Sequence, residues 1–238
     1  MNKLITTAIL LITGFCAQAQ SGIPELKPFG KDVNDLTFKN WKVIAEAKGD
    51  LNKDGVEDLA FVIQNTDKKN LKINDGLGVD TVDHNPRVLG IYFGQKGGGY
   101  QKQLQSNEFI LIREFPTMDD PFDGISILSN GVLQIDFHFW YSAGSWYMSN
   151  HQYKFRYQHQ RFELIGYECS EMHRASMNST DYSINFSTRK MSIIRITHNE
   201  KTDKEEETKE LKTFELETLP SIKSLKKPFE WEFEDILI

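Results

Sequence analysis

Cysteine is almost absent from this chain of 238 residues, with two present, Cys16 and Cys169. No apolar run after the N-terminal segment approaches the roughly 20 residues of a bilayer-crossing helix. No basic tract occurs, and no apolar period of 3.6 residues persists over a dozen positions. Each absence excludes something. Without the apolar run no helical membrane span is expected. Without the 3.6-residue period a helical bundle is excluded. With a formal net charge of −6 and a pI of about 5.6, the field of the whole molecule repels a polyanion, so a nucleic-acid partner held through its phosphates is excluded as well. What is present is 39% hydrophobic, 12% aromatic and 26% charged residues at a mean hydropathy of −0.47, the composition of a water-soluble globular domain.

The N-terminus is where the apolar residues run together. Met1-Asn2-Lys3 precedes an apolar stretch over residues 4–15, and Ala17-Gln18-Ala19 closes it. A charged start, a short apolar middle and a small-x-small end make a secretory signal, cleaved after Ala19, and place the protein in the periplasm or outside the cell. The mature chain would carry 27 Lys+Arg against 34 Asp+Glu. Lipid attachment at Cys16 is disfavoured because the bulky Phe15 stands where lipoprotein signals carry a small residue. Once the signal is removed Cys169 has no partner, so no internal disulfide forms and stability rests on core burial and on any bound metal. Cys169 itself reads as a small, partly buried residue.

Residues 20–40, rich in Pro, Gly and Asp, read as a leader before a single β domain over 41–238. From Trp41 onward apolar residues alternate. Trp41, Val43 and Ala45 are answered by Leu59, Phe61 and Ile63. Runs over 88–93 and 100–104 flank Gly97-Gly98-Gly99, and runs over 125–128 and 132–140 flank Asn130-Gly131, a pair that tolerates the positive φ of a tight hairpin. Tyr153, Phe155 and Tyr157 return through a polar turn at 158–161 to Phe162, Leu164 and Ile165; Tyr182, Ile184 and Phe186 pair with a run over 191–196. The charged run 199–210 reads as a solvated loop or short exposed helix. The expected fold is all-β, successive antiparallel hairpins forming a meander that closes as an open barrel, a sandwich or a partial propeller, with little helix.

One motif is specific. Residues 50–58 read Asp-Leu-Asn-Lys-Asp-Gly-Val-Glu-Asp, with side-chain oxygens at Asp50, Asn52, Asp54 and Asp58, a glycine at the sharp turn and the Val56 carbonyl between them. Ca²⁺ asks for six to eight oxygens on a flexible frame, which alternate residues of a wound loop supply. An EF-hand is excluded because Phe61 holds the twelfth position, where that motif needs a bidentate Glu. The stretch over residues 49–59 resembles the calcium loop of FG-GAP and VCBS repeats, which links two strands of a propeller blade. The resemblance implies Asp50, Asn52, Asp54 and Asp58 as side-chain ligands and Val56 as a backbone ligand. It covers residues 42–66 only and occurs once, so the loop is carried over and the propeller is not. The ion would be structural, relieving the repulsion of three carboxylates. The competing reading is a metal-free Asp/Asn/Gly turn. Asp119, Asp120 and Asp123 lack the alternating register and read as a turn. Residues 146–190 also look similar to uncharacterised secreted bacterial proteins that carry a single calcium loop upstream.

The most aromatic stretch spans residues 136–147. On a strand Leu133, Ile135, Phe137 and Phe139 share the core face, whereas Asp136, His138 and Trp140 share the other. With Trp146 and Tyr147 beyond the turn, that second face would make a stacking platform for a sugar or a protein ligand, plain packing being the alternative. A hydrolase acting on an extracellular polymer would use Asp136 and His138 as acid and base with Ser142 or Ser145 as nucleophile, without the Gly-x-Ser-x-Gly elbow. The sequence thus points to an exported β domain with a structural calcium loop, a binding or interaction module before an enzyme.

Overall fold

The computed structural model describes residues 22–199, 202 and 204–238; the expected signal segment and Cys16 lie outside the described residues. The chain opens with β1 (Phe29–Gly30), α1 (Val33–Leu36), β2 (Trp41–Gly49) and β3 (Asp58–Asn65), continues through the short ribbon β4 (Leu71–Ile73) and β5 (Thr81–Asp83), and returns in β6 (Arg87–Gly94) and β7 (Tyr100–Ser106). These build a five-stranded antiparallel sheet in the order β1-β7-β6-β3-β2. Then follow β8 (Phe122–Ile127), β9 (Val132–Phe139), β10 (Tyr147–Gln158), β11 (Arg161–His173), β12 (Ser179–Asn185), β13 (Lys190–Asn199) and β14 (Lys204–Thr213). They pair strictly in sequence as a seven-stranded meander. A C-terminal tail adds α2 (Ile222–Leu225) and the ribbon β15 (Glu232–Phe233) with β16 (Ile236–Leu237). The all-β expectation holds, since the described α-helices are four residues each.

The middle strands β3 and β6 of the five-stranded sheet are buried on both faces, which explains why they read as continuous apolar runs. Ala60, Val62, Leu89, Ile91 and Phe93 face Leu133, Ile135, Phe137, Tyr153 and Phe155 of the meander in the main core. The alternate residues Leu59, Phe61, Ile63, Val88 and Tyr92 face a second cluster capped by Leu26 and Leu36. The segment expected as a leader over 20–40 therefore folds over the sheet between residues 23 and 38. Its apolar side chains are too scattered among Pro and Asp to show a period, yet Leu26 and Leu36 are fully buried. At the other edge β2 runs against β8, where a Cβ on Gly49 would sit 2.6 Å from the Ile127 side chain.

Aromatic rings fill the main core edge to face. Phe109 lies 5.4 Å from both Tyr153 and Phe155, and Phe137 lies 5.8 Å from Tyr153, contacts that add about 0.5–1.5 kcal/mol each beyond burial. The tail covers the far end through Phe233, 4.8 Å from Phe214 and 5.2 Å from Phe186.

Two turns depart from expectation. At the Asn130-Gly131 hairpin only Gly131 takes positive φ, 72°, and a Cβ there would stand 2.5 Å from the Asp50 carbonyl oxygen, so glycine is needed for the loop to rest on the hairpin. Two positive φ values without glycine occur instead at the two-residue turns His159-Gln160, 50° and 59°, and Glu234-Asp235, 50° and 92°; the first closes the β10–β11 hairpin. The buried Glu163 carboxylate holds the His159-Gln160 turn, accepting from Gln158 Nε2 at 2.5 Å, Arg161 Nε at 2.7 Å and His159 Nδ1 at 3.3 Å. The run 199–210 is also corrected: residues 204–210 belong to β14, which pairs with β13 along its length and is exposed at almost every position.

Candidate functional site

The Asp-rich loop joins β2 to β3 as a chain of side-chain-to-backbone turns. Asp50 accepts from the amides of Asp54 (3.2 Å) and Gly55 (3.0 Å), Asn52 Oδ1 from the amide of Asp54 (3.0 Å), and Asp54 Oδ1 from the amide of Val56 (2.8 Å). Asn52 Nδ2 also donates to Asp54 Oδ2 at 3.1 Å, and Gly55 supplies the positive φ of 80° at the bend. Asp50, Asn52 and Asp54 are thereby brought together as a set of hard oxygen donors, the type that suits Ca²⁺. Asp58 is used differently. It is fully buried, and its oxygens accept from the amides of Leu51 (2.7 Å), Asn52 (3.2 Å) and Gly94 (2.9 Å), tying the loop to β6. Burial pushes its carboxyl above the usual range although three amides pull the other way. Among the described residues no three His, Cys, Asp or Glu side chains gather as a metal group.

The aromatic residues divide between two faces of the meander. Trp140 and Trp146 flank the Arg174 guanidinium, 4.9 and 5.9 Å from their ring centres. Arg174 cannot swing away, because Nη2 donates to the carbonyls of Tyr141 and Ser145, both at 2.7 Å, and Nε to that of Trp146 at 3.4 Å. The Trp146 indole stays 64% exposed. Tyr147, 52% exposed, packs edge-on against His173 at 4.8 Å. It lines a cleft of about 300 Å³ together with Glu171, His173, Ser176 and Asn178. Arg174 and His173 had not stood out in the sequence; their positions follow from the β10–β11 register, which sets His173 opposite Tyr147.

Asp136 and His138 point to the outer face of β9 and do not meet. The Asp136 carboxylate accepts from Gln134 Nε2 at 2.9 and 3.1 Å, and His138 Nδ1 lies 2.7 Å from Asn150 Oδ1. Burial, helped by the charges of Asp123 and Glu168, raises the Asp136 carboxyl above its ordinary value. Ser142 donates to the Thr117 carbonyl and Ser145 accepts from the Tyr147 amide, so the four groups of the hydrolase reading are separately engaged. The acidic turn at 119–123 is resolved as structural, Asp120 holding the buried Arg87 through Nη1 at 2.8 Å and Nη2 at 2.5 Å. Burial alone would raise the Asp120 carboxyl, but Arg87 holds it below the usual range. Cys169 is buried and burial pushes its thiol up to about 12, which makes it unreactive.

Comparison of the chain with protein-family models, with curated proteins and with solved structures found no match.

Proposed function

We propose that the protein is an exported binding module that takes a sugar or protein ligand on the aromatic end of its meander. One observation carries the reading: Trp146 is largely solvent-exposed yet stands beside an arginine fastened to three carbonyls. An indole already held in place loses little freedom when a ligand stacks on it, and large, rigid aromatic anchors are where binding energy concentrates. The Tyr147 cleft adds a carboxylate, an imidazole and hydroxyls within reach of such a ligand. Tryptophan emission titrated with chitotriose, cellotetraose and tyrosine-rich or basic peptides tests this. The expected outcome is saturable quenching by one probe class, with affinity weakened at least about 30-fold in Trp146→Ala. Saturation that is equal in Trp146→Ala overturns the reading.

In the same proposal the Asp-rich loop is a structural Ca²⁺ site of the FG-GAP/VCBS type, held by Asp50, Asn52 and Asp54 with the Val56 carbonyl. Asp58 braces the loop from behind. The support is the convergence of the three oxygen-bearing side chains and the sequence resemblance. Ca²⁺ at a hundredfold excess over Kd would add about 2.7 kcal/mol by mass action, a rise of roughly 5–10 °C in Tm for a chain of this size. The rise should vanish in EDTA and in Asp54→Ala; a melt indifferent to both removes calcium from the account.

A further inference from the structure

The outer face of the meander holds a feature the aromatic end does not use. Strand register lays two adjacent rows of side chains across it. His138, Asn150, Ser170, Asp181 and Ile194 form one, and Asp136, Gln152, Glu168, Ser183 and Ser192 the other. Where they cross β10 to β13 they border a cavity of about 450 Å³, within the size range of small-ligand sites.

The hydrogen bonds of this wall are unevenly spent. Asn150 Oδ1 is taken by His138, and Glu168 Oε1 by Lys154 at 2.5 Å. Gln152, Ser170, Asp181, Ser183 and Ser192 make no side-chain hydrogen bond among the described residues. Together they offer one carboxylate, one carboxamide and three hydroxyls, a set that both donates and accepts. A ligand whose own groups each donate and accept at short spacing can satisfy it, whereas an apolar ligand would strip these groups of water and leave them unpaired. Charge narrows the class. The residues that line the cavity include two carboxylates, Glu168 and Asp181, and no cation; Lys154 is paired with Glu168 and Lys209 lies beyond Ile194, so a ligand carrying carboxylate or phosphate is repelled and an ammonium is attracted. Ile194 at one end offers carbon for the C–H side of a ring.

We propose that this cavity binds a saccharide unit, neutral or amine-bearing, through Gln152, Ser170, Asp181 and Ser183, and refuses carboxylated and phosphorylated sugars. None of Trp140, Trp146 and Tyr147 lines it, so the site is separate from the aromatic end and does not depend on it.

Backbone amide shifts of the full mature chain, followed while adding glucose, N-acetylglucosamine, glucosamine or glucuronate, test the proposal. The expected result is a cluster of shifts at residues 152, 170, 181 and 183, with Kd near 1 mM for the best sugar and glucosamine at least about tenfold tighter than glucuronate. Asp181→Asn should erase that preference, and Ser183→Leu, which fills the cavity from an exposed strand position, should abolish the shifts without altering the melt. Trp146→Ala should leave the affinity within about twofold. No shift at these amides with any of the four sugars at about 50 mM overturns the proposal, as does glucuronate binding as well as glucosamine. Loss of the shifts in Trp146→Ala also overturns it and assigns the sugar to the aromatic end, in which case the proposed function stands.

Discussion

The two sheets are built from similar hairpins but treated differently by the rest of the chain. The five-stranded sheet is covered twice, by the meander on one side and by residues 23–38 on the other, and β3 and β6 have almost no solvent contact. The meander is covered once, and its outer face carries polar side chains with unspent hydrogen-bonding capacity. The two middle strands, closed on both faces, are out of reach of any ligand and serve as scaffold. Side chains accessible to a partner lie instead on that open face and at the exposed Trp146 end of the meander.

That division can be tested by breaking each part in turn. The largest effect should come from the cover. A chain beginning at Lys39 uncovers Leu59, Phe61, Ile63, Val88 and Tyr92 and should lose cooperative urea unfolding, whereas Phe61→Ala, which removes a buried ring stacked 5.5 Å from Tyr92, should cost about 3–5 kcal/mol. An unchanged midpoint in the shortened chain would make the cover dispensable. Next comes the inner face of the meander, where burial lowers the His151 imidazole to about 4. Its Nδ1 lies 2.7 Å from the Tyr167 hydroxyl and its Nε2 2.8 Å from Ser149 Oγ, both neutral partners. The folded state therefore resists protonation that the unfolded chain accepts near pH 6.5. Stability should be complete above that pH and fall by roughly 3 kcal/mol between pH 6.5 and 4; His151→Gln should flatten the fall, and a parallel pH profile in the variant would contradict it. The smallest effect belongs to the outer face: Gln152→Ala, Ser183→Ala and Ser192→Ala should each stay within about 0.5 kcal/mol of the parent. A larger loss would make that wall structural and not a free surface.

The hairpins of this fold were legible because period-two runs are separated by short polar turns, and the burial of Phe137, Tyr153 and Ile184 follows that period. The cover was not, because Ile23, Leu26, Val33, Leu36 and Phe38 follow no period and gain their meaning only from the sheet beneath. Strand β14 was hidden for the opposite reason: seven of its ten residues are charged, and its order comes from backbone pairing to β13, which side-chain patterning does not record. The turns show a further limit. Asn130-Gly131 carries the favoured pair but one positive φ, while His159-Gln160 takes two without glycine because Glu163, in the strand that follows, holds the corner. Of the site, the aromatic residues and the convergence of Asp50, Asn52 and Asp54 were readable. The partner of Tyr147 was not: pairing counted back from the turn arrives at Met172, and the bulge between Lys154 and Phe155 shifts it to His173.

The exposed strand β14 has a consequence for the life of the folded molecule among its own copies. One side of its backbone is satisfied by β13, while on the other, among the described residues, no strand pairs with it over its ten residues. An apolar rim of that length would invite a second strand to add to the sheet, and then a third, the route by which sound β proteins become fibres. Here an incoming strand would have to dehydrate lysines and glutamates on both sides of the sheet before forming its first hydrogen bond. The run that contributes least to the core opposes growth of an open-ended sheet, and replacing Lys209 and Glu207 by valine should make the protein polymerise on standing, read by light scattering against the parent.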